Sequence, residues 1–233
     1  MSEAGTRGIV DDVPPLVTDG LPETRRIAAY APDLAYERDA WNCGATWVAG
    51  VDEVGVGPLA GPVTAGVVCL REEDAFSWFK HVRDSKVLSP GSREELAQLI
   101  RESACSAIGW ATNEEIDRIG ILPARRLCML RAIEQLPVRP SSIISDALSL
   151  PLDDVRPVVG ADALSVSVAA ASIIAKVARD QFMCELEEAY PGWGFDRHKG
   201  YATREHRSLL QERGPLPVHR RSFAPVAQLS LPW

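Results

Sequence analysis

Two adjacent acidic residues inside the most apolar strand-like segment of this chain restrict its fold more than any other feature. Asp52 and Glu53 stand in the β-branched run Trp47–Val54, and a second such run, Val63–Leu70, follows the turn-rich sequence GVGPLAGP. This pattern predicts a β-hairpin. Consecutive strand residues point to opposite faces of a sheet, so at least one carboxylate is expected to be buried or at a strand end. A buried charge needs a partner, which either a salt bridge or a metal ion would supply.

Strands and helices alternate after this hairpin. The sequence Ser92-Arg93-Glu94-Glu95 predicts the capped start of an amphipathic helix. The other predicted elements are a short helix over 33–43, a strand over Cys105–Ala111, a helix over 123–136, short strands over Ser142–Ser145 and Val155–Val159, and a long helix over Val168–Glu188. A hairpin followed by alternating strands and helices predicts an α/β domain with a mixed central sheet.

The first 30 residues differ in character from the rest. Residues 1–30 are polar, contain three prolines and lack apolar periodicity, which predicts a disordered tail. Residues 31–233 are expected to form a single domain, because the sequence shows neither an internal repeat nor a second core.

Several protein classes are disfavoured by composition. No segment approaches the roughly 18 consecutive apolar residues of a membrane helix, and the start of the chain lacks the basic and apolar regions of a secretory signal. The five cysteines are an odd number without a CxxC pair, which favours reduced, buried thiols over zinc ligands or disulfides. We therefore expect a soluble cytoplasmic protein.

Charge is distributed unevenly along the chain. The net charge is −7, yet residues 197–221 hold seven Lys and Arg against two Glu. A solvated basic surface and a phosphate-binding segment both explain such a cluster.

Two further acids follow predicted strands directly. Asp146 comes after Ile143-Ile144-Ser145, and Asp162 comes after the run that ends at Val159. Open α/β sheets gather their sites at the carboxyl ends of strands. Carboxylates that converge there repel one another unless a divalent cation lies among them, and hard oxygen ligands favour Mg²⁺ or Mn²⁺ over zinc. Such a site suits metal-dependent phosphodiester hydrolysis.

Several motifs, in the same order, resemble those of the ribonuclease HII (type 2 ribonuclease H) family. The similarity covers roughly residues 35–226 and is carried by the segments AGVDEVGVGPLAGP at 49–62, DSK at 84–86, AASIIAKVARD at 170–180, HKGYAT at 198–203 and HRRSF at 219–223.

The resemblance implies a ribonuclease H-like fold with a helical C-terminal segment. It implies a site of four metal-binding carboxylates, made of Asp52, Glu53, Asp146 and Asp162. It also implies hydrolysis of the RNA strand of RNA–DNA hybrids, and nicking of duplex DNA on the 5′ side of an embedded ribonucleotide, with 3′-hydroxyl and 5′-phosphate products and two ions, Mg²⁺ or Mn²⁺. In the family, the glycine-rich turn, here Gly55-Val56-Gly57, and a tyrosine, here Tyr201, recognise the ribonucleotide at its junction with DNA.

Three positions depart from the family pattern. Val56 stands where the family has arginine, so a guanidinium beside the scissile phosphate is missing. Ala147 replaces the glycine after the third acid, which we expect to be a mild change. Ala161 intervenes between Gly160 and the fourth acid. Because all four acids are present, catalysis is still expected.

The resemblance also implies that Lys86, Ser172 and Lys176 bind backbone phosphates. The alternative that helical spacing allows is a pair between Lys176 and Asp180 at i+4, and phosphate contact is the favoured interpretation. The other polar residues of these motifs are expected to be structural: Arg179, Asp180, His198, His219, Arg220 and Ser222.

Three functions compete on these observations. The first is a monomeric ribonuclease HII without membrane association, the second a related nuclease that acts on long hybrids only. The third is a catalytically weak hybrid-binding protein, an alternative that the missing arginine at Val56 motivates.

Overall fold

A mixed five-stranded sheet forms the centre of the protein in a computed structural model, which describes residues 31–83, 85 and 88–230. The strands are β1 (Val48–Val54), β2 (Val63–Leu70), β3 (Cys105–Ala111), β4 (Ser142–Asp146) and β5 (Val155–Val158). Their order is β3-β2-β1-β4-β5. The pairs β1–β2 and β2–β3 are antiparallel, whereas β1–β4 and β4–β5 are parallel. The predicted hairpin and mixed α/β sheet are confirmed.

Helices flank this sheet and form the C-terminal segment. They are α1 (Ala35–Asn42), α2 (Pro90–Ser103), α3 (Asn113–Ile119), α4 (Ile121–Glu134), α5 (Val166–Ala189), α6 (Phe195–His198), α7 (Arg204–Arg213) and α8 (Ala224–Ala227). The described residues belong to one compact unit. Residues 1–30, predicted to be a tail, lie outside the described residues, as does Lys86.

One local prediction was wrong, and one short helix was not predicted. The cap of α2 is Ser89, whose hydroxyl accepts from the amide of Ser92, so the helix begins at Pro90, ahead of the predicted box. Proline suits this first position because its missing N–H has no partner there in any helix. The sequence analysis also missed α3, although Thr112 and Glu115 form a reciprocal capping box at its start. Its seven residues are too few to show clear helical periodicity.

Helix α5 packs directly on the middle of the sheet. A Cβ atom on Gly50 of β1 would lie 2.3 Å from the backbone of Ser167, and one on Gly66 of β2 would lie 2.2 Å from the carbonyl oxygen of Ala171. Only glycine permits this approach. Because the helix sits this close, its buried face reaches the carboxyl end of β1. Helix α4 covers the opposite face, so apolar clusters fill both sides of the sheet.

No helix in the described part of the chain has the length and hydropathy needed to cross a membrane.

A chain of buried histidines joins the C-terminal segments. The Nδ1 atom of His219 accepts from the amide of Leu216, and its Nε2 lies 3.0 Å from Nε2 of His206. The Nδ1 atom of His206 lies 2.9 Å from the carbonyl oxygen of Tyr201. This pattern requires both rings to be neutral, with His219 donating to His206 and His206 donating to Tyr201. Both side chains are fully buried.

This histidine pair makes stability depend on pH. Burial lowers the pKa of His206 and of His219 from 6.5 to about 4. Below pH 6.5 the unfolded chain therefore binds protons at these two histidines, whereas the folded chain does not. The contribution of the neutral pair to the free energy of unfolding is fully present above pH 6.5 and is lost as the pH falls towards 4. We expect the melting temperature to decline between pH 6.5 and 5, and His206→Gln to flatten that decline. The exposed His81 supplies the control His81→Gln, which should keep the wild-type slope. An unchanged slope in His206→Gln would contradict the assignment.

Candidate active site

The parallel strands bring the four acids to one edge of the sheet. Asp52 and Glu53 lie near the end of β1, and Asp146 is the last residue of β4. Asp162 lies in the short 3-10 helix Ala161–Ala163 that follows β5. Since β1, β4 and β5 run in the same direction, their carboxyl ends meet. All four acids line one cavity of about 250 Å³.

Asp52 is buried on the α5 face of β1, with 5% of its surface exposed. Its Oδ1 atom accepts from the amide of Glu53 at 2.8 Å, and its carboxylate also hydrogen-bonds with the hydroxyl of Ser172. That hydroxyl lies 3.0 Å from the hydroxyl of Ser85. Burial, followed by the charge of Glu53, raises the pKa of Asp52 well above its ordinary value. A charged Asp52 is therefore costly without a cation.

Glu53 points to the opposite face, as strand alternation predicts. Its Oε1 atom accepts from Nε of Arg125 at 2.7 Å and lies 2.6 Å from Nη2 of the same guanidinium. A salt bridge, one of the two explanations left open for the acidic pair, is therefore present here. Burial raises the pKa of Glu53 to about 7, although Arg125 opposes this shift. The other oxygen, Oε2, is buried without a hydrogen-bond partner.

Asp146 is tied to the loop that carries the fourth acid. Its Oδ1 atom accepts from the amide of Ala161 at 2.9 Å, so the residue inserted relative to the family pattern supplies a donor to the site. Ala147 has a φ of 55°, in the left-handed region that favours glycine. The replacement of glycine there is consequently not the mild change expected, because a side chain in this region strains the backbone.

The donor set fits a divalent metal ion. Four carboxylates offer hard oxygen ligands, and the buried Oε2 of Glu53 is an acceptor that a cation would satisfy. In the present side-chain arrangement, no three acidic, histidine or cysteine residues of the described ranges are close enough around one point to hold a metal. Asp52, Glu53 and Asp146 instead make the protein contacts described above. Metal binding thus needs small side-chain rotations at an edge where the backbone already places all four groups.

Two buried arginines hold the glycine-rich turn between β1 and β2. Arg220 donates to the carbonyl oxygens of Gly55, Val56 and Gly61. Arg179 donates to three more backbone carbonyls, those of Ala60, Pro62 and Lys199. Neither side chain is more than 1% exposed. The structural role predicted for both is present, and it fixes the path of the turn at the cavity.

Other residues of the motifs surround the same cavity. Tyr201 is 47% exposed and lines it beside Gly55, Val56 and Gly57. Lys176 also lines it, but its ammonium lies 2.6 Å from Oδ1 of Asp180, which is the alternative that helical spacing allowed. The sequence analysis missed Arg125 as a site residue, because no motif signals a contact made 72 residues from its partner.

Known proteins resemble this chain in sequence and in fold. The family model described as ribonuclease HII matches residues 49–226. A ribonuclease HII from Dehalococcoides mccartyi is 45% identical over 207 residues, which cover 87% of this chain and 97% of the relative. One from Paracoccus denitrificans is 48% identical over 201 residues, 85% of this chain and 94% of the relative. The crystal structure of ribonuclease H2 from Pyrococcus horikoshii aligns with a TM-score of 0.70 and 29% identity, and the alignment covers 79% of this chain and 97% of that one.

The crowding of carboxylates predicts a gain in stability when one charge is removed. Because burial and its acidic neighbours disfavour the charged form of Asp52, we expect Asp52→Asn to raise the melting temperature at pH 8 in the presence of a chelator. The exposed Asp153 provides the matched control, and Asp153→Asn should leave the melting temperature unchanged. A lower melting temperature for Asp52→Asn would show that its hydrogen bonds outweigh the repulsion.

Proposed function

Because the chain belongs to the ribonuclease HII family, and is therefore a metal-dependent endoribonuclease acting on RNA–DNA hybrids, we propose that it also nicks duplex DNA 5′ of single embedded ribonucleotides. The products would carry a 3′-hydroxyl and a 5′-phosphate. The observation that supports this proposal is the shared cavity. In it, the four acids lie beside the glycine-rich turn, which arginines hold through its backbone carbonyls, and beside the half-exposed Tyr201. We propose that the protein acts as a monomer.

Asp52, Glu53, Asp146 and Asp162 would hold two Mg²⁺ or Mn²⁺ ions. When bound, such ions stabilise the charge on the attacking and leaving oxygens of a phosphodiester. The protein's own part is to orient the ligands. The hydroxyl of Ser172 and the amide of Glu53 orient Asp52, while the amide of Ala161 orients Asp146.

Recognition of the ribonucleotide would rest on Gly55-Val56-Gly57 and Tyr201. Arg220 binds the carbonyl oxygens of Gly55 and Val56, so the turn has a fixed shape before substrate arrives. Glycine lets the backbone approach a 2′-hydroxyl, the group that distinguishes RNA from DNA. The exposed ring of Tyr201 can pack on the next sugar, where a second 2′-hydroxyl would clash.

Backbone phosphates would be bound at the rim of the cavity. Lys176 can exchange its contact with Asp180 for a phosphate, since both side chains are partly exposed. Ser172 and Lys86 are proposed for the same role. Because a hydroxyl donates only one hydrogen bond, Ser172 would orient Asp52 before substrate arrives and donate to a phosphate in place of that contact afterwards. Such contacts fix the register of a duplex without reading its sequence.

If the four acids hold the metal ions, replacing one of them should stop cleavage without unfolding the protein. At saturating Mg²⁺, Asp146→Asn should abolish cleavage of a long hybrid and of a duplex with one ribonucleotide, because a ligand charge is lost. The measurement is single-turnover cleavage of both substrates, with Asp153→Asn as the exposed control.

The same assay separates the competing functions. Cleavage of the long hybrid alone by the wild-type chain would favour the related nuclease. Binding of both substrates without cleavage would favour the weak hybrid-binding protein. Near wild-type activity in Asp146→Asn would refute the site assignment.

The substitution Val56→Arg tests whether a cation at this position of the turn binds a phosphate. Arg220 holds the carbonyl oxygen of Val56, so Val56→Arg should leave the turn in place and add one cation beside the scissile phosphate. We expect tighter binding to both substrates and a salt dependence steeper by about one unit of log–log slope. Tyr201→Ala should instead weaken only the single-ribonucleotide duplex. Binding across a salt series in Ca²⁺, which blocks turnover, measures both effects. Unchanged affinity and slope in Val56→Arg would mean that the turn works through its backbone alone.

A further inference from the structure

Arg125 makes an unusual contact with one of the four acids. Arginine and carboxylate commonly pair through two parallel hydrogen bonds that use both carboxylate oxygens. Here Nε and Nη2 of Arg125 both approach Oε1 of Glu53, at 2.7 and 2.6 Å. The second oxygen, Oε2, is buried without a hydrogen-bond partner. One half of this carboxylate is therefore engaged by the protein and the other half is not.

A buried acceptor without a partner costs free energy, and a bound ion is one of the explanations for such a group. Of the four buried polar atoms without a partner in the described residues, Oε2 of Glu53 is the one whose residue lines the cavity of the four acids. Glu53 could have shared both of its oxygens with the guanidinium, as the ordinary pairing does. Its Oε2 lies instead in a carboxylate that lines the same cavity as Asp52, Asp146 and Asp162. The contact of Oε1 with Arg125 thus holds the side chain while Oε2 has no protein donor.

We propose that Arg125 is a positioning residue of the metal site, which holds Oε1 of Glu53 so that Oε2 is left to bind a divalent cation. This inference rests on the proposed role of Glu53 as a metal ligand. Arg125 lies on α4, on the opposite face of the sheet from α5, and its side chain is 23% exposed while that of Glu53 is 5% exposed. Arg125 therefore contacts the Glu53 carboxylate from the α4 side of the sheet. Groups that orient metal ligands in this way commonly change metal affinity about 10- to 100-fold when removed.

The sign of the change in metal affinity after removal of Arg125 distinguishes two roles for this residue. A guanidinium near the site repels a divalent cation, so a residue that served only as a counter-charge would weaken metal binding, and its removal would strengthen it. Positioning predicts weaker binding after removal. The two roles differ in the sign of the change.

The experiment is calorimetric titration of the full chain with Mn²⁺, without nucleic acid. We expect Arg125→Met, which keeps an apolar stem and loses the charge and donors, to bind Mn²⁺ about 10- to 100-fold more weakly than wild type. Arg125→Lys should restore part of the affinity, because one ammonium can still donate to Oε1. The matched control is Arg126→Met, since the neighbouring Arg126 donates to the carbonyl oxygen of Ser149. It should bind Mn²⁺ as wild type does.

Cleavage of a hybrid across an Mn²⁺ series supplies a second measurement. Positioning predicts that Arg125→Met needs more Mn²⁺ for half-maximal rate but approaches the wild-type rate at saturation. Equal or tighter Mn²⁺ binding in Arg125→Met overturns the proposal, and so does a lower saturating rate with unchanged affinity. Should Arg125→Met fail to fold, Arg125→Lys carries the test, with weaker binding in support and unchanged binding against.

The failure of this inference is distinguishable from failure of the proposed function. If Arg125→Met binds Mn²⁺ normally while Asp146→Asn loses cleavage, only the positioning role of Arg125 is wrong. If Asp146→Asn remains active, the four-acid site itself is wrong.

Discussion

Electrostatic repulsion among four carboxylates at one edge of the sheet is the constraint on which the rest of the structure depends. Asp52 and Glu53 are both strongly buried, and burial together with neighbouring charge raises their pKa values. In the described residues this repulsion is reduced by nearby donors: the Arg125 guanidinium, the Ser172 hydroxyl, and the amides of Glu53 and Ala161. The fold thus holds together carboxylates that would otherwise move apart. A divalent cation at this edge of the sheet would reduce their repulsion.

The glycine-rich turn is held by charge of the opposite sign. Arg179 and Arg220 are buried and donate to backbone carbonyls, six in all. Burial lowers the pKa of Arg220 to about 9, and the charge of Arg179 acts in the same direction. Two buried guanidiniums are tolerated because each finds several carbonyl acceptors. The turn is consequently fixed by the core, independently of the side chain at Val56.

The C-terminal segment contributes to the site through its packing. The carbonyl oxygen of Tyr201 accepts from His206, which His219 supports in turn, and Arg220 follows His219 directly in sequence. The same short segment therefore holds both the tyrosine and the glycine-rich turn. The basic residues there do not form one solvated surface, because Arg220 is fully buried while Arg221 is exposed.

The sequence by itself determined the hairpin, the mixed α/β sheet and the four acids, because strand periodicity, turn residues and the family motifs are local signals. It could not show that the acids share a cavity, since that follows from the parallel pairing of β1 with β4 and β4 with β5. Nor could the sequence show which arginine contacts which carboxylate or carbonyl oxygen. Arg125 contacts Glu53 across 72 residues, and Arg220 contacts Gly55 across 165. Contacts this distant in the chain leave no local pattern, so only the tertiary structure decided them.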